Sequence, residues 1–262
     1  MAKYRVAHLG QVSIMIETQV NLGGVQTGSP IFARMSRKPI KAVNESEAPG
    51  GREPEVVRLL GAALRGADGR RAGPPLSIDL EAGSAHVITA GPGAGKTTIL
   101  ETIALARPPY KGRLELFGRN VARVRPAARY ALRRRIGMIF QDLRLIDALS
   151  ARDNVALAAR AAGRAPDDYD KPIAEVLAWV GLARRADDPA SELDAEGRGR
   201  LAVARAVINR PDLLIADEPG GEAVLKLLSD LNRAGTTMLI ATRDAELADQ
   251  SGAEVTALVA FR

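Results

Sequence analysis

The segment Ala90-Gly91-Pro92-Gly93-Ala94-Gly95-Lys96-Thr97-Thr98 restricts the fold of this chain more than any other. It follows the apolar run Val87-Ile88-Thr89 and precedes Ile99, Leu100 and Ile103 at helical spacing. A glycine-rich loop between a strand and a helix turns backbone N–H groups inward around phosphate oxygens. The helix N-terminus adds the positive end of its dipole. In such a loop Lys96 reaches the terminal phosphates of a nucleotide and the Thr97 hydroxyl ligates Mg²⁺. The first position of the pattern is usually glycine and here is Ala90. Alanine does not tolerate positive φ, so the first turn is expected to be slightly altered.

A second group of candidate residues ends another apolar run. Leu213-Leu214-Ile215-Ala216 leads into Asp217-Glu218-Pro219. The carboxyl ends of strands in α/β sheets open onto the ligand crevice. A buried strand has no structural need of two adjacent acids, since burying charge is costly. Asp217 is therefore assigned to Mg²⁺, directly or through water. Glu218 is assigned the catalytic role of polarising an attacking water.

From Glu55 onward, apolar runs suited to buried strands alternate with helix-period segments. Residues 56–60, 76–80, 86–90, 136–140, 213–216, 237–241 and 255–259 read as strands, and 97–106 reads as a helix. The stretch from about 143 to 210 is mostly helical. Within it Ser150 and Asp153 form a capping box. Asp170 and Pro172, then Ile173, Val176, Leu177 and Val180 before Gly181, mark a helix with both ends signalled. Val224, Leu227, Leu228 and Leu231 form one face of a later helix. Strand–helix alternation with a helical insertion predicts an α/β fold with a mainly parallel sheet over residues 54–262. Residues 1–53 differ. Residues 11–20 alternate like a short strand, but Gly23-Gly24, Gly28-Ser29-Pro30 and the polar run 44–53 follow. This segment reads as a flexible N-terminal extension.

Composition narrows the function classes. There is no cysteine, so disulfides and thiolate metal sites are excluded, and a reducing compartment fits. Two histidines, His8 and His86, leave little room for an imidazole metal site. The net charge of +6 admits nucleic acid or an anionic lipid surface as a neighbour, but aromatics make up only 3%. Base-stacking platforms are then scarce, and nucleic acid is not the expected partner. No apolar run is long enough to cross a membrane.

The order of these features resembles the ABC ATPases. Ile136-Gly137-Met138-Ile139-Phe140-Gln141-Asp142 is similar to their glutamine loop, and Arg200-Leu201-Ala202-Val203-Ala204-Arg205-Ala206-Val207 is similar to the helix after their signature. The resemblance implies a phosphate-loop NTPase of the ABC type, with a mainly parallel core, a helical subdomain and an antiparallel β part. It implies ATP and Mg²⁺ as cofactors, with Gln141 touching both metal and nucleotide and Arg243 standing at the switch position near the γ-phosphate. Within that family the chain most resembles the FtsE group of bacterial cell-division ATP-binding proteins. The segments that carry this are Leu132-Arg133-Arg134-Arg135 running into Gln141, Asp153-Asn154-Val155-Ala156, and Asn232-Arg233-Ala234-Gly235 leading to Leu239-Ile240-Ala241-Thr242. Lipoprotein-export and macrolide-export ATPases look alike here. The resemblance implies an integral membrane partner like FtsX, a homodimer within that complex, and a cytoplasmic, peripheral place at the inner face of the cell membrane.

Several positions depart from the family pattern. The signature Leu-Ser-Gly-Gly aligns with Leu193-Asp194-Ala195-Glu196. In a closed dimer that loop faces the opposite subunit's γ-phosphate. A carboxylate about 4 Å from phosphate costs about 1 kcal/mol in water and about 4 at intermediate dielectric. The loop after Pro219 is shorter than the family's dimer-contacting loop, because Gly220-Gly221 runs straight into a helical segment. Position 243 is arginine where the family has histidine. No Phe, Trp or Tyr lies between Glu55 and Ile88 to stack on adenine. These departures leave two expectations, an active ATPase and an ATP-binding protein with slow or lost turnover.

Overall fold

A computed structural model describes residues 7–9, 12–14, 55–63, 75–91, 93–244 and 253–258. The strands are β1 (Ala7–Leu9), β2 (Val12–Ile14), β3 (Glu55–Ala63), β4 (Leu76–Glu81), β5 (Ala85–Ala90), β6 (Lys111–Leu116), β7 (Arg119–Asn120), β8 (Ile136–Ile139), β9 (Leu213–Asp217), β10 (Thr237–Thr242) and β11 (Glu254–Leu258). The helices are α1 (Lys96–Ile103), α2 (Pro126–Arg133), α3 (Ala151–Ala161), α4 (Pro166–Trp179), α5 (Ala195–Val207) and α6 (Glu222–Arg233). Five strands form a parallel sheet in the order β11-β5-β10-β9-β8, and four form an antiparallel sheet in the order β4-β3-β6-β7. Strands β1 and β2 pair antiparallel, and the rest of the predicted N-terminal extension lies outside the described residues.

The parallel sheet is apolar on both faces, which is why its strands read as unbroken apolar runs rather than alternating ones. Along β9, Leu213 and Ile215 enter one core cluster, while Leu214 and Ala216 enter the other. The first cluster joins α1 to the antiparallel sheet through residues such as Ile99, Leu100, Leu59 and Leu116. The second joins the sheet to α3, α4, α5 and α6 through Val155, Ile173, Leu177, Leu201 and Leu228. Each fully buried side chain of this size contributes about 1.5–3 kcal/mol. At Gly137 on β8 a Cβ would stand 2.5 Å from the Ala206 carbonyl oxygen, so glycine is what lets α5 approach the edge of the sheet.

Several elements differ from the sequence reading. Helix α1 stops at Ile103, short of residue 106, because Leu105 adopts a left-handed φ of 62°. Helix α4 begins at Pro166, a full turn before the start marked by Asp170, and Pro172 lies inside it. Proline cannot donate to the Asp168 carbonyl four residues back. The Arg164 guanidinium donates to that oxygen instead, so the helix continues through. Strands β6 and β7 and helix α2 were not marked as elements in the sequence. Lys111–Leu116 offers only Leu114 and Leu116 as buried positions, and its place is set by pairing with β3.

Candidate functional site

Parallel register brings the candidate residues together. Thr242 lies beside Thr89, Ala241 beside Asp217, and Ile139 beside Ala216. The residues following β5, β8, β9 and β10 therefore emerge at one edge, the carboxyl edge where α/β sheets hold ligands. Those residues are Gly91, Gln141, Glu218 and Arg243.

The glycine-rich loop bends where glycine permits it. Gly93 has φ 74° and Gly95, the N-cap of α1, has φ 91°. Ala90 is the last residue of β5 and is not in the left-handed region, so alanine costs nothing at the position where the sequence predicted an altered turn. Pro92 lies outside the described residues. Ala94 donates to the Gly91 carbonyl at 3.5 Å. The Thr98 carbonyl accepts from the Thr102 hydroxyl inside α1.

Lys96 is only 7% exposed. Its ammonium donates to the Ala90 carbonyl at 2.5 Å and lies 3.2 Å from Glu218 Oε1. The Thr97 hydroxyl donates to Asp217 Oδ2 at 2.9 Å. Asp217 is 3% exposed, and its Oδ1 is buried without a hydrogen-bond partner. Burial pushes the Asp217 carboxyl above its ordinary value, the Thr97 hydrogen bond opposes this, and neighbouring Glu218 adds to it. A hydroxyl and a carboxylate with a free, inward oxygen form the hard oxygen set that suits Mg²⁺. No cluster of three or more acidic, histidine or cysteine ligands exists among the described residues. A metal held here would thus complete its shell from phosphate and water.

Glu218 occupies a left-handed φ of 49° directly before Pro219, a costly backbone state for a residue other than glycine. Its Oε2 accepts from the Arg243 backbone N–H at 2.9 Å, and its Oε1 accepts from Arg243 Nε at 3.0 Å. Burial alone would raise the Glu218 carboxyl, but the two Arg243 bonds and Lys96 outweigh it and hold the group below its ordinary value. The switch-position arginine thus grips the acid assigned to water activation. Gln141 is exposed just past β8, and its side chain bonds to no described residue.

Two residues that the sequence reading gave no role suspend the loop carrying Gln141. Leu143 and Arg144 both have left-handed φ, and the Arg205 guanidinium from α5 donates to both of their carbonyls. Asn154, buried at 1% exposure on α3, accepts from the Ile146 N–H at 2.9 Å. Its amide donates to the carbonyls of Ile146, Leu149 and Ser150. The N-cap half of the expected box forms, with Ser150 Oγ accepting from the Asp153 N–H at 3.0 Å, while Asp153 Oδ2 accepts from the Ser150 hydroxyl at 2.7 Å instead of from its backbone N–H. An asparagine in the first turn of a helix, directly after the Ser150 and Asp153 pair, was the available signal.

The altered signature segment has a local purpose. Asp194 is the N-cap of α5 and accepts from the Gly197 N–H at 2.7 Å. Glu196 pairs with Arg200 at 3.3 Å. The carboxylate that the sequence set against a partner's phosphate is thus turned into its own helix, where the dipole favours it.

Comparison with known proteins agrees with this geometry. The family model described as "ABC transporter" matches residues 74–221. The cell division ATP-binding protein FtsE of Escherichia coli (strain K12) is 36% identical over 186 residues, covering 68% of this chain and 84% of that protein. The macrolide export ATP-binding/permease protein MacB 1 of Aeromonas hydrophila is 36% identical over 211 residues, covering 76% of this chain but 32% of that protein. Among solved structures, the dimeric bacterial ABC transporter cassette MJ0796 superposes with a TM-score of 0.69 at 26% identity, covering 77% of this chain and 94% of that one. The chain belongs to the ABC transporter family, as an ATP-binding subunit close to FtsE.

Proposed function

We propose that this chain is the nucleotide-binding subunit of an FtsE–FtsX-like membrane complex in bacterial cell division, coupling its ATP state to an integral membrane partner. The observation that carries the nucleotide part is the Thr97–Asp217 pair, with its free buried oxygen, beside Lys96. Residues 90–98 would cradle the phosphates, and Thr97, Asp217 and Gln141 would hold Mg²⁺. Bound there, the metal would supply positive charge that offsets that of the phosphates. Lys96 binds the phosphates and Glu218 orients the attacking water. Residues 54–262 form the ATP-binding domain in this reading, with residues 1–53 as an extension.

The membrane part rests on the resemblance to FtsE. No helix among the described residues is long and apolar enough to cross a membrane, and the proposed complex assigns the span to its partner. That partner docks in the groove between Gln141 and the helices spanning residues 150–181, where nucleotide state and helical subdomain meet. Two copies of the chain pair in the complex. The test is phosphate release by the chain purified with its membrane partner, for the parent and for Glu218→Gln. Partner-stimulated release that Glu218→Gln removes supports a working ATPase.

A second reading, an ATP-binding scaffold with little turnover, is favoured by Glu218 being gripped by Lys96 and Arg243 and by the lost signature. It predicts ATP binding with release that Glu218→Gln leaves unchanged. The likeness to MacB 1 also admits an export-type transporter. Failure to co-purify with a cell-division membrane protein while co-purifying with an export permease would decide for it.

A further inference from the structure

We infer that the solvent face of helix α2 and the turn before it bind anionic phospholipid headgroups directly. Residues 116–141 contain seven arginines and no Asp or Glu. Arg135 is committed to Asp212 and stacks on Phe117 at 3.7 Å, and Arg134 donates to the Ala162 carbonyl. The other five, Arg119, Arg123, Arg125, Arg129 and Arg133, form no ion pair with any described residue, and all but Arg129 are exposed. Elsewhere the chain pairs its arginines readily. Arg58, Arg107, Arg185, Arg198 and Arg243 each meet a carboxylate.

The arrangement is one that folding alone disfavours. Arg125, Arg129 and Arg133 recur every fourth residue along the eight-residue helix Pro126–Arg133 and its N-cap, and so share one face. Like charges at that spacing destabilise a helix, and Arg125 at the N-terminal end also opposes the dipole. Leu132, 3% exposed, is the one buried residue of this helix, so most of its surface faces solvent. A surface dense in phosphate relieves the repulsion. Guanidinium groups match phosphate oxygens two at a time. Tyr130, 66% exposed, rises among the arginines, and tyrosine favours the headgroup level of a bilayer.

The same features disfavour nucleic acid. The arginines sit on a convex helix with a single exposed ring, whereas strands of nucleic acid are bound by grooves with several stacking rings. The choice of lipid rests on the proposed membrane-peripheral role. The test below requires neither nucleotide nor membrane partner, so it fails separately from that role.

The full chain is sedimented with vesicles of phosphatidylcholine alone and of phosphatidylcholine mixed with phosphatidylglycerol, at low and high salt. Binding is expected only to the anionic vesicles and is lost at high salt, since exposed charges are screened beyond a Debye length. Each arginine near an anionic surface is worth about fivefold in partition, so Arg125→Gln/Arg129→Gln/Arg133→Gln should bind about a hundredfold more weakly. The corresponding triple lysine variant should keep most of the binding. The glutamine variant should melt no lower than the parent, because it removes repulsion, and the lysine variant, which keeps the charge, should melt like the parent. Equal binding to neutral and anionic vesicles, a glutamine variant that binds like the parent, or a preference for duplex DNA over the vesicles would overturn the inference.

Discussion

Asp217→Asn should make the protein more stable and less able to bind nucleotide, and the two effects can be read in one melting experiment. Asp217 is 3% exposed, shares its site with Glu218, and leaves Oδ1 with no donor. An unsatisfied buried polar group costs about 1–3 kcal/mol, and more when charged. The amide keeps one unpaired atom but loses the charge and the repulsion, so a net gain of about 1 kcal/mol follows. For a domain of this size that is about 2–4 °C. The gain depends on pH. Because burial raises the folded-state pKa of Asp217, the parent is penalised increasingly as pH rises from the ordinary value of 3.8 through the raised one. The advantage of the variant is therefore full at neutral pH and vanishes in acid. The depressed pKa of Glu218 acts in the opposite sense, favouring the fold above its ordinary value, but it is common to both proteins and largely cancels in the difference. With Mg·ATP at about a hundred times its dissociation constant the parent should gain about 2.7 kcal/mol, roughly 5–10 °C. The variant should lose most of that shift. A variant that melts no higher at neutral pH, or that keeps the full Mg·ATP shift, would refute the assignment of Asp217.

Three further outcomes follow from the geometry. Lys96→Ala should weaken a fluorescent ATP analogue at least about tenfold, since a hydrogen bond to a charged group is worth about 1.5–3 kcal/mol, and equal affinities in titration would mean that the loop is vestigial. Asp194→Ser should melt within about 0.5 kcal/mol of the parent, because serine caps a helix about as well as aspartate, while ATP-dependent dimerisation measured by sedimentation increases. Asn154→Ala should cost about 1–3 kcal/mol and expose residues 141–149 to limited proteolysis, because that amide holds three carbonyls and one N–H of the loop. Proteolysis at the parent's rate would show that Arg205 suffices to hold it.

The sequence by itself determined the features whose cause is local. A strand, a glycine-rich turn and an apolar helical period are neighbours along the chain, so the phosphate loop and α1 were legible from residues 87–103 alone. Leu213-Leu214-Ile215-Ala216 announced a strand buried on both faces, and two acids at its end announced a site. Ser150 and Asp153 are three residues apart, within reach of any local reading. The antiparallel strands β6 and β7 were not legible, because two buried leucines make a strand only when β3 lies alongside to accept the pairing. Helix α4 starts earlier than the sequence reading placed it, although Arg164, only four residues from Asp168, supplies the bond that Pro172 cannot make. The site's electrostatics were decided by the tertiary structure. Thr97 and Asp217 are 120 residues apart, and Glu218 and Arg243 are 25 apart. Only the register of β5, β9 and β10 sets those distances, and register is fixed by how two core clusters pack against opposite faces of one sheet. Whether an acid is free to act on water or is gripped by an arginine depends on that packing, and residue order along the chain carries no trace of it.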